Sequence, residues 1–206
     1  VASSGDDFGT FNSRSNAART SQGRCTFAIY EGTSDYGEIV ICDGVNEPFL
    51  FQMTGTAGLS SRTFFAKEIT VSSTVGPAIA VIHDKHLVVA GDASSKNTIY
   101  YSSTNDIDSF SGGGSGSVVI SDAVVGLASF RSDLIIFCKN SIHKLSNIND
   151  SSNIAVTPIT TNVGCLSHGS IQEIGGDILF LAPDGVRTVA GTARIGDVEL
   201  SSVSRQ

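Results

Sequence analysis

The stretch VVGLASFRSDLIIFCKNSIHKL, residues 124–145, decides how the chain is read. Val124 to Phe130 alternates apolar with small or polar residues. Asp133 to Phe137 is a short apolar run centred on Leu134-Ile135-Ile136, and Ser141 to Leu145 alternates again. Period-two alternation and apolar runs of four to eight residues, broken by polar turns, are strand signals. Ile154 to Ile159 supplies a fourth, outer strand.

The same unit recurs on both sides of this stretch. Triplets equivalent to Leu134-Ile135-Ile136 are Ile39-Val40-Ile41, Leu87-Val88-Val89 and Ile178-Leu179-Phe180. They begin at residues 39, 87, 134 and 178, spacings of 48, 47 and 44. Strand-only repeats of about 40 to 50 residues are the signature of propeller blades. The first copy predicts strands over Thr26 to Tyr30, Glu38 to Cys42 and Pro48 to Phe51, with a turn at Asp43-Gly44-Val45-Asn46 and an outer strand at Ile69-Thr70-Val71. The second predicts Ala78 to Ile82, Leu87 to Ala90, Thr98 to Ser102 and Ser117 to Ser121. The fourth predicts Ser170 to Ile174, Ile178 to Leu181, Gly185 to Val189 and Val198 to Leu200. Asp184-Gly185 is expected to form a type I′ hairpin turn, because glycine accepts φ > 0 without steric cost.

No window of a dozen residues carries a helical apolar stripe. The expected fold is therefore all-β and β-propeller-like. It has about four antiparallel blades, at roughly 25–75, 76–122, 123–162 and 163–206, and is either self-contained or part of a larger propeller. Residues 1–24, rich in Ser, Asn, Gly and Arg, predict an extended or disordered arm that orders against a partner. The tract Ser111 to Gly116 predicts a loop without rigid structure. The chain starts at Val1 and its only methionine is Met53, which points to a processed start or to a segment of a longer polypeptide.

At 206 residues the chain can bury roughly 70% of its unfolded surface, and 40% hydrophobic content separates it from disordered sequences. A net charge of −7 argues against gripping nucleic acid, because phosphate binding needs clustered Lys and Arg. The apolar runs are far shorter than the roughly 20 residues of a bilayer-spanning helix, so no membrane span is expected. Four cysteines, Cys25, Cys42, Cys138 and Cys165, form no CxxC pair. They are expected to be thiols in strand cores, with two disulfides as the alternative.

Three constellations could carry chemistry. His83 and His86 flank Asp84-Lys85 and could share a metal with a carboxylate, but solvated turn histidines are the expected reading. Asn105-Asp106-Ile107-Asp108 resembles the start of a calcium loop, without the glycine and distant glutamate that complete one. Gly164-Cys165-Leu166-Ser167-His168-Gly169 gathers a thiol, a hydroxyl and an imidazole, yet misses the G-x-S-x-G spacing and its strand-turn-helix setting. No cofactor, metal or catalytic residue is expected.

Residues 124–145, together with NVGCLSHGSIQEIGGDILFLAPDGVRTV (162–189), CDGVNEPFLF (42–51) and NTIYYSSTNDIDSF (97–110), resemble the β-propeller region of bacteriophage tail nozzle proteins. These are also called tail tubular or packaged-DNA stabilisation proteins. The likeness covers about 180 of the 206 residues. It implies a non-enzymatic virion subunit of the phage tail, assembled in the host cytoplasm. Its partners would be copies of itself in a ring, the portal, adaptor and other tail proteins, and DNA passing without tight binding. An acidic wall suits that passage, since it repels a polyanion.

Loops distinguish a rigid propeller from its neighbours, which makes Phe8, Phe11 and Arg14 of the arm, and Asn105, Asp106 and Asp108, the candidate subunit contacts. Two other readings compete. A glycan- or receptor-binding propeller would use Tyr30, Tyr36, Tyr100 and Tyr101 as stacking faces. A propeller hydrolase would use Asp106 and Asp108.

Overall fold

A computed structural model describes residues 10–13, 24–32, 37–54, 63–72 and 76–189. All regular structure in them is strand, apart from one 3-10 turn at His168–Ser170. Four sheets follow one another along the chain.

The first sheet contains β1 (Thr10–Ser13), β2 (Thr26–Tyr30), β3 (Glu38–Cys42), β4 (Phe49–Thr54) and β5 (Thr63–Glu68), in the order β1-β5-β4-β3-β2. The second runs β6 (Ile79–His83), β7 (His86–Ala90), β8 (Thr98–Tyr101) and β9 (Gly116–Val119) in sequence order. The third does the same with β10 (Val124–Phe130), β11 (Asp133–Cys138), β12 (Ile142–Ser146) and β13 (Ala155–Thr160). The fourth contains β14 (Gln172–Ile174), β15 (Asp177–Ala182) and β16 (Gly185–Thr188). This sequential, blade-like order is the architecture the repeat predicts: all-β and propeller-like.

Several details differ from the sequence reading. The outer strand of the first copy is β5, not Ile69-Thr70-Val71. Ile69 and Val71 are buried just beyond it, where the Ile69 amide donates to the Pro48 carbonyl (2.8 Å). The arm contributes β1, which pairs parallel with β5, Phe11 opposite Phe64. Phe8 and Arg14 lie outside the described residues, as does the expected strand Val198 to Leu200. Ser111 to Gly116 is a defined turn: both the amide and the hydroxyl of Ser115 donate to the Gly112 carbonyl (3.2 and 2.7 Å). A Cβ on Gly112 would lie 2.6 Å from Ser103 Oγ, so a larger residue there requires that hydroxyl to turn aside.

The β15–β16 hairpin forms as expected, but with Pro183-Asp184 as its loop and Ala182 paired to Gly185. Proline cannot take the positive φ of a type I′ turn, and the glycine is needed one residue later, at φ +131°. The β6–β7 hairpin is the one that turns through two positive-φ residues, Asp84 (46°) and Lys85 (68°).

The chain forms two compact units, Val1–Ser94 with Tyr100–Gly116, and Ser95–Ile99 with Ser117–Gln206. In the first, the inward side chains of sheet one, Ala28, Val40, Cys42 and Leu50, pack on Ala80, Leu87 and Val89 of sheet two, with Ile107 inserted from a loop. In the second, Ile135, Phe137 and Ile142 of sheet three pack on Ile178, Phe180 and Ala182 of sheet four. The Phe137 and Phe180 rings meet at 5.2 Å between centroids, tilted by 55°. Such a ring pair adds about 0.5–1.5 kcal/mol to the area it buries.

Candidate functional site

The polar residues gather at three places, each built by strand register. Tyr30, Glu38 and Gln52 stand opposite one another across β2, β3 and β4, on the inward face that also carries Val40 and Leu50. Inward alternation therefore buries a carboxylate, and Glu38 accepts a hydrogen bond from the Gln52 amide. Burial raises the Glu38 carboxyl above its ordinary value; the Lys67 charge and the Gln52 bond pull it partly back, while Asp106 adds to the rise. The Tyr30 hydroxyl is also raised, first by burial and then by the charges of Glu38 and Asp106. That hydroxyl is buried without a hydrogen-bond partner among the described residues.

The loop 105–108 closes this end of the sheet. Asn105, at φ 60°, donates its amide to the Lys85 carbonyl (3.0 Å), and Asp106 is exposed. Ile107 fills the core, while Asp108 is ion-paired with Lys67. Of the candidate contacts, Asn105 and Asp106 are thus exposed at the surface of the first unit, and Asp108 is half-buried against Lys67. The buried carboxylate here is Glu38, on a strand and not in a loop with paired acids. Its signal was present in the alternation Glu38-Ile39-Val40-Ile41-Cys42, where Glu38 shares the parity of Val40.

His83 and His86 are the second place. They face each other at the end of the β6–β7 hairpin, and both are buried, which corrects the expectation of solvated turn residues. The chain after β8 folds over the hairpin tip. His86 Nδ1 lies 2.5 Å from the Ser102 carbonyl, its Nε2 lies 3.2 Å from Thr104 Oγ1, and its ring meets Tyr101 edge-on. Among the described residues no three His, Cys, Asp or Glu side chains converge as a metal site.

The third place is in the second unit. Asp122 accepts the backbone amides of Ala123 (2.8 Å) and Asn140 (2.6 Å) and the hydroxyl of Ser141 (3.2 Å); that hydroxyl is also 3.0 Å from His143 Nε2. Burial works to raise Asp122, but these hydrogen bonds outweigh it and hold the carboxyl low. His143 is lowered by burial, against the pull of Asp122. The chain of bonds runs acid, serine, histidine. A catalytic triad needs the histidine in the middle, so that it can take the proton from the nucleophile. Here the serine stands between the acid and the histidine, and among the described residues no acid orients the histidine. Cys138 beside it is pushed up to about 12, first by burial and then by Asp122, which leaves it an unreactive thiol.

Cys165, Ser167 and Ser170 serve local backbone structure. The buried Cys165 thiol donates to the Ser167 carbonyl (3.3 Å), and Ser170 Oγ donates to the same carbonyl (2.6 Å) and accepts from the Leu181 amide (3.1 Å). None of the four cysteines is in a disulfide. Cys25 is exposed, which corrects its placement in a strand core, and the others are buried. Tyr30 and Tyr101 are buried, Tyr100 packs on the first core, and Tyr36 lies outside the described residues.

Among the described residues, large apolar side chains are also exposed on two of the sheets. Phe27 and Ile29 on β2 are 63% and 64% exposed, and cross-strand register aligns them with Ile41 and Phe49 and with Ile39 and Phe51. On sheet four the outward positions include Ile174, Leu179, Leu181 and Val186, with Leu181 opposite Val186.

No family model matches the chain, and no curated protein matches it. A solved structure described as "Crystal structure of HIRA(644-1017)" is similar over 87% of this chain and 56% of that one, at 11% identity and a TM-score of 0.40. The chain thus spans about half the length of that structure.

Proposed function

We propose that this chain is a structural subunit of a tailed bacteriophage virion, forming part of the tail nozzle ring through which DNA passes. The observation that carries this reading is the outward apolar face of sheet one. Three large side chains, Phe27, Ile29 and Ile39, are exposed on the side of the sheet opposite its core. Contiguous apolar surface of this kind marks an interaction site, and such surface suits assembly better than turnover. Two further features support it. His86, Ser141, Cys165 and Ser170 are hydrogen-bonded to turns and hairpins of the chain itself, and the resemblance in residues 124–189 and 97–110 is to nozzle propellers. A charge of −7 suits a wall past which DNA slides.

The test is electron microscopy of purified source virions, with peptide mass spectrometry of the same particles. Chain density in a ring below the portal and adaptor is the expected result. Virions that lack the chain overturn the reading.

A further inference from the structure

We infer that residues 102–110 form a strap on the first unit that closes in acid and opens toward neutral pH. Glu38 gains a proton on closing, and Lys67 changes carboxylates on opening. All of these groups belong to one compact unit.

The strap is pinned to both sheets of that unit. On sheet two, His86 meets the Ser102 carbonyl through Nδ1 and Thr104 Oγ1 through Nε2, and the Asn105 amide donates to the Lys85 carbonyl (3.0 Å). On sheet one, Ile107 is buried in the same core as Ala28, Tyr30, Val40 and Leu50. Asp108 pairs with Lys67, which stands opposite Leu50 and so on the inward side of β5. One apolar side chain, one partly exposed ion pair and a few hydrogen bonds make a hold that local opening can break without unfolding the sheets.

Closure also leaves three polar groups poorly served. The Tyr30 hydroxyl and Ser103 Oγ are both buried without a hydrogen-bond partner among the described residues. Water satisfies them once the strap lifts. The third group is Glu38, 6% exposed and opposite Tyr30 in the strand register. In the closed state its carboxylate feels the Asp106 charge of the strap, while Lys67, the cation that acts on it, is paired with Asp108. Opening carries Asp106 away, frees Lys67 for Glu38 and admits water. The ionised carboxylate therefore favours the open strap and the protonated one the closed strap.

The sign follows from burial and Asp106, which hold the closed-state carboxyl above its ordinary 4.5. Closing is supported in full below 4.5, and that support is lost as pH rises through the closed-state value. The other titratable or charged groups at the strap are Tyr30 of β2 and, on the sheet-two side, His83, Asp84, Lys85 and His86 of the β6–β7 hairpin.

The experiment is native-state hydrogen exchange with peptide mass spectrometry on the full chain, at about pH 5 and about pH 7, each rate divided by the intrinsic rate at that pH. The readout is the peptide spanning residues 103–109, in which the amides of Ser103, Asn105, Asp106 and Ser109 are bonded in the closed strap. Residues 79–90 of sheet two report opening of the whole unit. Strap protection is expected to be at least ~3-fold greater at the lower pH, with residues 79–90 unchanged. Glu38→Gln is expected to abolish that ratio and to keep the strap at the higher protection. Asp106→Asn, at an exposed position, is expected to reduce the ratio, and it carries the test if Glu38→Gln does not fold. A strap whose protection ignores pH overturns the inference, as does a ratio that Asp106→Asn leaves at the wild-type value. A ratio that survives Glu38→Gln also overturns it, and assigns the titration to His83 or His86. Exchange of the strap in step with residues 79–90 means that the unit opens as a whole and no strap exists.

Discussion

Glu38 shows how a single inward position becomes pH-sensitive. Because the folded chain holds its proton more tightly than the unfolded chain, folding takes up a proton above the ordinary value of 4.5. Stability contributed by this group therefore falls as pH rises from 4.5 through the raised value, and is lowest on the neutral side. Glu38→Gln keeps an acceptor for Gln52 and removes the charge. The variant is expected to melt higher than wild type at pH 7, and the difference to vanish near pH 4, in paired thermal melts. Tyr30→Phe follows the same logic, since it removes a buried hydroxyl without a partner among the described residues. A buried polar group left unpaired costs about 1–3 kcal/mol, so the change is expected to be neutral or stabilising by up to ~1 kcal/mol in urea denaturation. The Lys67–Asp108 pair is partly exposed and adds little.

Among the elements, hairpins hold the clearest tests. Asp84 and Lys85 both sit in the left-handed region, which costs an L-residue with a long side chain more than it costs glycine. Lys85→Gly is expected to raise stability by about 0.5–1 kcal/mol, read as a shift in urea midpoint at constant slope. Gly164 is the opposite case. A Cβ there would lie 2.1 Å from the Lys139 carbonyl oxygen and 2.5 Å from the Asn140 amide nitrogen, both backbone atoms that cannot swing aside. Gly164→Ala is expected to cost about 1–3 kcal/mol by overpacking, with the same assay as the check. The sequence reading placed the β6–β7 hairpin correctly from its alternation. It could not place the histidines flanking it, because the segment that buries them returns from residues 102–105. In the same way Asp184-Gly185 announced a hairpin, while its true loop depended on how Pro183 constrains the backbone.

On the scale of the whole molecule, charge and apolar surface oppose each other. Copies carrying −7 repel, whereas association through exposed apolar side chains such as Phe27 and Ile29 would be hydrophobic. Raising salt from about 0.15 M to 1 M shortens the Debye length from about 8 to 3 Å and suppresses the repulsion. Self-association is therefore expected to strengthen with salt in sedimentation velocity, the reverse of an assembly held by ion pairs.

Local pattern determined most of the strands and their sequential sheets, because period-two alternation and turn chemistry act between neighbours along the chain; β1 and β5 were not legible in it. Even the buried Glu38 was written in that alternation. It could not say which side of β2 faces in, since Phe27 and Ile29 on one side and Ala28 and Tyr30 on the other are all apolar. Tertiary packing decided that: sheet two covers the smaller alanine together with Tyr30, leaving the phenylalanine and isoleucine outside. Burial is a property of what lies across a sheet, and residues 50 or more positions away supply it.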